Sequence, residues 1–266
     1  MKKYHLVIFV ILFSLQKSYG QAIEIPPIDI DRSNFSLTPS LTPKGYVQVE
    51  SGVLAESINN NLFFTTPSLL VKYGANKKLE LRLQTSLKWN ETGSNTIGIP
   101  PLEVGIKSSL IDAKGAMPKV SFIGHLALDG ISTAPYQAKY VAPKFRFAFQ
   151  QTLAKRVLLG YNLGMEWDGF NAEGNMVYTI CTWYAITNKF ACFVELFGDK
   201  RNSGTASHHA DAGFIFLSGQ NSMLDISGGL RGYEAGAFGV GSYYFGTLGY
   251  SFRFNTSRKV ETIFVR

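Results

Sequence analysis

Hydrophobic and polar residues alternate along much of this chain. In LELRLQTSLKWN, residues 79–90, Leu79, Leu81, Leu83, Thr85, Leu87 and Trp89 fall on one parity. Glu80, Arg82, Gln84, Ser86, Lys88 and Asn90 fall on the other. A strand sends successive side chains to opposite faces, so this stretch predicts an apolar wall backed by a charged one. The same period runs through SFIGHLALD (121–129), KFRFAFQQ (144–151), GYNLGMEWDG (160–169) and GYSFRF (249–254). No helical period is sustained anywhere. Strands are predicted over 45–58, 63–74, 78–90, 102–112, 118–129, 143–153, 156–168, 175–187, 189–199, 207–217, 222–232 and 242–254.

The connections between these strands are of two kinds. GAN, AKGAM, LAKR, TNK and SGQN are short; WNETGSNTIGIPP, GISTAPYQAKYVAP, GFNAEG, DKRNSGTAS and GYEAGAFGVGS are longer and alternate with them. Only the first long-side connection, near Ile58–Leu62, is brief. Short turns at one end and long loops at the other are the asymmetry of outer-membrane barrels. An even strand count puts both ends of the barrel chain on the short-turn side. Strands of about 11–14 residues exceed the usual length in globular sheets and fit a tilted membrane span. The expected fold is therefore all-β: a single antiparallel up-and-down transmembrane barrel of about twelve strands, over residues 45–254. Its leucines face lipid, and Trp89, Trp167, Tyr73, Tyr244 and Tyr250 lie near strand ends, where interfacial girdles form.

The flanking segments read differently. Lys2 and Lys3 precede an apolar run, Leu6–Leu15, which is followed by Ser18 and Gly20; this is a signal peptide over 1–20, too short to span a bilayer as a helix. Residues 21–44, rich in proline and serine, predict an extended periplasmic segment. NTSRKVETIFVR, residues 255–266, is expected as a C-terminal tail, unless Phe264 belongs to the last strand. Without Lys2, Lys3 and Lys17 the formal charge falls from +7 to +4, too small and scattered to imply nucleic acid. The mean hydropathy of +0.04 excludes a bundle of membrane helices. Cys181 and Cys192 could meet on adjacent strands, although two small residues on a sheet face is the simpler account.

The charged parity defines the candidate lumen lining: Arg82, Lys88, His125, Asp129, Arg146, Glu166, Asp168, Glu195, His209, Asp211 and Arg253, with Glu50, Lys72, Glu80, Glu103, Lys107 and Lys144 alongside. Twelve strands enclose a narrow space, across which opposite charges can pair. The mixture of signs points to neutral or small polar solutes, or to a largely plugged barrel. The cluster Ser207-His208-His209-Ala210-Asp211 invites a catalytic reading, but Ser207, His209 and Asp211 follow one another on one strand face, about 7 Å apart. Hydrolase partners usually come from different elements, and no GxSxG or HExxH occurs. His125, Asp129, His209 and Asp211 lack the tight spacing of a metal site. Neither a catalytic residue, a metal nor a cofactor is expected.

The third strand ending in SLKW, together with GYNLGMEWDG (160–169), CFVELFGD (192–199), HHADAGFIFL (208–217) and LGYSFRF (248–254), resembles the transporter-like outer-membrane proteins named after the MetA pathway of phenol degradation. The resemblance covers the chain from about Gly45. It implies an outer-membrane channel or transporter for small solutes, aromatic or otherwise hydrophobic, with membrane lipid as its surroundings and an undefined oligomeric state. Two alternatives stay open: a barrel enzyme acting on lipid, and a structural or adhesive barrel without transport. A soluble exported β-protein is the third case.

Overall fold

The computed structural model describes residues 25–32, 35–59, 61–90, 96–201, 203–232 and 243–256. The expected signal peptide, residues 1–20, lies outside the described residues, as does all of the expected tail beyond Thr256. The strands are β1 (Tyr46–Ile58), β2 (Asn61–Gly74), β3 (Leu79–Asn90), β4 (Thr96–Gly98), β5 (Leu102–Ile111), β6 (Lys119–Leu128), β7 (Ala142–Ala154), β8 (Val157–Glu166), β9 (Asn175–Ala185), β10 (Phe190–Arg201), β11 (Ser207–Gly219), β12 (Ser222–Arg231) and β13 (Tyr243–Asn255).

All pairings among these strands are antiparallel. Each strand pairs with its neighbour in the chain, and β1 closes on β13 from Tyr46↔Asn255 to Ile58↔Tyr243. β4 pairs with the upper end of β3 and β5 with its lower half, so the two share one position, and twelve positions complete the barrel. The break between them falls at Pro100 and Pro101, residues with no N–H to give to the ladder. Closure of β1 on β13 leaves only the three-residue β4, at the long-loop rim, with an unpaired side among the described strands, so the backbone of the wall satisfies itself in lipid.

The leucine wall of β3 faces outward. Leu81, Leu83 and Leu87 are 45%, 40% and 37% exposed, whereas Glu80 and Arg82 on the opposite parity are buried at 0% and 4%. Leu163, Ile180, Val194, Leu196, Ile226 and Leu248 continue the exposed apolar belt on other strands. The charged side is inside, the reverse of a soluble β-sandwich.

Two features depart from the sequence reading, while the two cysteines follow its simpler account. The inner face is not uniformly polar: Phe193, Phe197 and Phe245 point inward and are buried. Cys181 and Cys192 cannot form a disulfide, because Cys181 faces inward opposite Glu195, while Cys192 faces outward opposite Tyr184. Most consequential, the described part of the segment before β1 does not hang outside the barrel. It runs inside.

Candidate functional site

The inserted segment enters at the short-turn end. There the Ile28 amide donates to the Gln220 carbonyl, and Arg253 donates to the carbonyl of Pro26. It reaches Phe35 at mid-barrel and returns, so that Lys44 bridges to Gly74 at the end of β2. Many of its described polar groups are matched to partners on the wall.

Asp31 is the centre of this match. Its carboxylate lies 2.8 Å from Lys107 Nζ, 2.7 Å from Arg82 Nη1 and 3.2 Å from Lys72 Nζ. It also accepts the Thr38 amide at 2.9 Å, which folds the segment back on itself. Two wall carboxylates complete the cluster: Glu50 pairs with Lys72 at 2.5 Å and accepts the Asp31 amide, while Glu80 pairs with Arg82 at 2.8 Å and accepts the Thr42 amide. Three acids and three bases, all buried, thus balance to zero only with the segment in place. Burial disfavours the ionised Asp31, but Lys107, Lys72 and Arg82 outweigh it and hold its pKa well below the usual carboxylate range.

Arg32 reaches the adjoining wall, formed by β12, β13, β1 and β2. It lies 3.3 Å from Asp225 and donates to Ser68 Oγ at 2.9 Å and Thr247 Oγ1 at 2.8 Å. The guanidinium fits there because Gly52 and Gly249 face each other across the β1–β13 seam, and a Cβ on either would overlap it. At the apex, Phe35 donates its amide to Glu195 at 2.6 Å and accepts from Arg146 at 2.9 Å. Its ring stacks on Phe197 at 4.0 Å, with the Arg231 guanidinium 4.9 Å from the ring centre. On the return limb Ser36 bonds Thr179 at 2.5 Å, and the amide and carbonyl of Leu37 pair with the side chain of Asn162 at 2.6 and 3.0 Å. Lys107 also holds the Thr38 carbonyl, and Ser121 the Pro39 carbonyl.

Of the lumen candidates, Arg82, Arg146, Glu195 and Arg253 bind the inserted segment directly. His125 accepts from Arg82 at 3.1 Å, and Glu166 pairs with Arg146 at 2.6 Å. Lys88 lies toward the long-loop end, 6.0 Å from the Tyr136 ring centre. His209 contacts Asp199 at 3.2 Å, and Asp211 faces Glu195 across β10 and β11, with both its carboxylate oxygens buried and without a donor among the described residues.

Asp129 and Asp168 are corrections. Both sit past the end of a strand and organise long-end loops. Asp129 accepts from the Ser132 hydroxyl and, at 2.9 Å, from the Ala138 amide; these two bonds lower its pKa. Asp168 accepts the Phe170 and Asn171 amides and pairs with Arg201 at 3.1 Å. Alternation carried past the strand ends, by one residue for Asp129 and two for Asp168, placed them in the lumen. His125 and His209 have separate partners and lie on strands five positions apart. His209 turns its Nε2 to Asp199, and its buried Nδ1 has no partner among the described residues, so the Ser207–Asp211 run is not arranged as a triad. Sequence reasoning missed Asp31, Arg32 and Phe35 altogether. No local signal marks them, because the partners that hold them, such as Lys72, Lys107 and Asp225, lie far along the chain.

Closed antiparallel strands, an apolar outer belt and a charged interior define a barrel of the outer-membrane type, here filled by its own N-terminal segment. The chain belongs to the family described as "Putative MetA-pathway of phenol degradation", whose model matches residues 30–254. Two solved structures share the fold. The COG4313 outer membrane channel from Pseudomonas putida F1 is 10% identical, with a TM-score of 0.60 over 85% of this chain and 100% of that one. The NanC porin is 11% identical, with a TM-score of 0.52 over 77% of this chain and 98% of that one. No curated protein matches the chain.

Proposed function

We propose that the protein is an outer-membrane channel for a small solute, closed from within by residues 25–44. The observation that carries this reading is how the segment is held. Its described residues add no strand to the sheet: wall side chains make most of the bonds that hold it, many of them to its amides and carbonyls, and backbone-to-backbone contacts are confined to its two ends, at Gln220 and at Gly74. It can therefore shift without breaking a single rung of the barrel ladder. A permanently structural filling would have no need of such detachable bonding.

The signal-peptide reading of residues 1–20 supports export, with the short turns on the periplasmic side and the long loops outside. The family description and the inward rings of Phe35, Phe197 and Phe245 support an aromatic or otherwise hydrophobic solute. A lipid hydrolase is less well supported, because His209 faces the lumen and not the lipid.

Planar-bilayer recording tests the proposal. The intact protein should show low or flickering conductance, and a variant lacking residues 25–40 a larger, steady one. If that variant, shown to be folded by heat-modifiable gel migration, conducts no more than the intact protein, the channel reading fails. Phospholipid hydrolysis by the purified protein would favour the enzyme instead.

A further inference from the structure

Beneath the apex of the inserted segment, at the short-turn end, lies a pocket of ≈ 570 Å³ between the segment and the wall of β6–β13. That volume is in the range of small-molecule sites. Its body is apolar: Ile28 on the segment meets Leu158, Trp183, Ile215, Leu217 and Met223 on the wall. Cross-strand pairing sets Trp183 beside Leu158, with the indole lying over Gly160, and puts Leu217 beside Met223.

The rim has a different character. Lys119, Lys155, Arg156 and Lys189 line it, and the only acid among the described lining residues is Asp29, whose carboxylate already accepts from Thr38 at 2.6 Å. Arg253 is committed to Pro26, Gln220 and Asn221. The ammonium groups of Lys155 and Lys189 have no acceptor among the described residues, and both belong to exposed short turns. A cavity with apolar walls, an aromatic side chain and uncommitted cations at one edge fits one kind of guest.

We propose that this pocket binds a small amphipathic carboxylate: an aromatic or aliphatic body against Trp183 and Met223, and its carboxylate at the Lys155–Lys189 edge. The apolar part supplies most of the binding through burial. The carboxylate sets orientation and distinguishes an acid from a neutral molecule of the same shape. The assignment does not rest on conductance; it holds for a binding site at the periplasmic mouth whether or not solute crosses the barrel.

The test uses the full-length protein in lipid nanodiscs, with 4-phenylbutyrate as probe and 4-phenylbutanol as its neutral counterpart. Binding is read by calorimetry and by Trp183 fluorescence, with Trp183→Phe as the optical control. The acid should bind about five- to tenfold more tightly than the alcohol, the gain expected from two solvent-exposed charge contacts. A Lys155→Gln/Lys189→Gln double variant should erase that difference and leave alcohol binding unchanged. Ala191→Trp, which fills the pocket from the wall, should abolish binding of both while heat-modifiable migration stays normal. Equal affinities for acid and alcohol, an unchanged preference in the double variant, unchanged binding to folded Ala191→Trp, or no binding at all would each overturn the proposal.

Discussion

Asp31 and Lys107, 76 residues apart in the chain, meet at 2.8 Å inside the barrel, both fully enclosed. One belongs to the inserted segment and the other to β5, so this contact measures how firmly the barrel is closed. Removing one partner of a buried ion pair costs about 3–5 kcal/mol, because the other is left charged and uncompensated. Asp31→Asn should therefore raise hydrogen exchange at the amides of Thr38 and Thr42 by several orders of magnitude, while strand amides keep their protection. Lys107→Met should do the same, and the double variant should fall well short of the sum of the two. Additive effects would show that the pair is not coupled.

The acid response follows from the sign of the Asp31 shift. Its pKa is depressed in the docked state from an ordinary value of 3.8. Asp31 thus contributes its full hold on the segment above the ordinary value, and loses it as pH falls below that value toward the depressed one. The share of protection that Asp31 supplies, read at the Thr38 amide as the difference between the wild type and Asp31→Asn and corrected for intrinsic exchange, should be flat from pH 8 to about pH 4 and decline only below. A decline that begins between about pH 6 and pH 5 would mean that another group governs release.

The two faces of β3 can be separated by neighbouring substitutions. Leu83→Arg places a guanidinium on the lipid face, at about 2–4 kcal/mol near the bilayer midplane, and should impair folding into liposomes. Arg82→Leu should insert normally but loosen the segment, since it removes a partner of both Asp31 and Glu80. Gel-shift folding assays read the first effect and hydrogen exchange the second. Normal insertion of Leu83→Arg together with misfolding of Arg82→Leu would reverse the faces.

The barrel was legible because lipid on one side and a polar lumen on the other impose a strict two-residue period. Residues 79–90 carry that period without a break, and short and long connections alternate between the strands. The strand positions follow from these local signals. Where the inner face is lined by other side chains of the same protein, the period blurs: Phe193 and Phe197 are apolar on the inward parity because Phe35 and the rest of the lumen cover them. The inserted segment was not legible. Proline, serine and alternating acids describe extended chain equally well in water or in a lumen, and the distinction lies in partners far along the chain, such as Lys72 for Asp31 and Asp225 for Arg32. Asp129 and Asp168 misled for the opposite reason, since a strand's parity says nothing once the strand has ended.

The contact between Ser36 and Thr179, hydroxyl to hydroxyl at 2.5 Å, offers the most direct test of the claim that residues 25–44 occupy the lumen. The variant Ser36→Cys/Thr179→Cys, made with Cys181→Ser and Cys192→Ser, places two thiols within reach of a disulfide across the segment and β9. The protein in intact outer membranes should form this disulfide under mild oxidation, shown by a shift in non-reducing gels that reductant reverses. The contrary result is an unlinked protein in which the thiol introduced at position 36 reacts freely with a bulky maleimide supplied to the periplasm, which would place the segment outside the barrel.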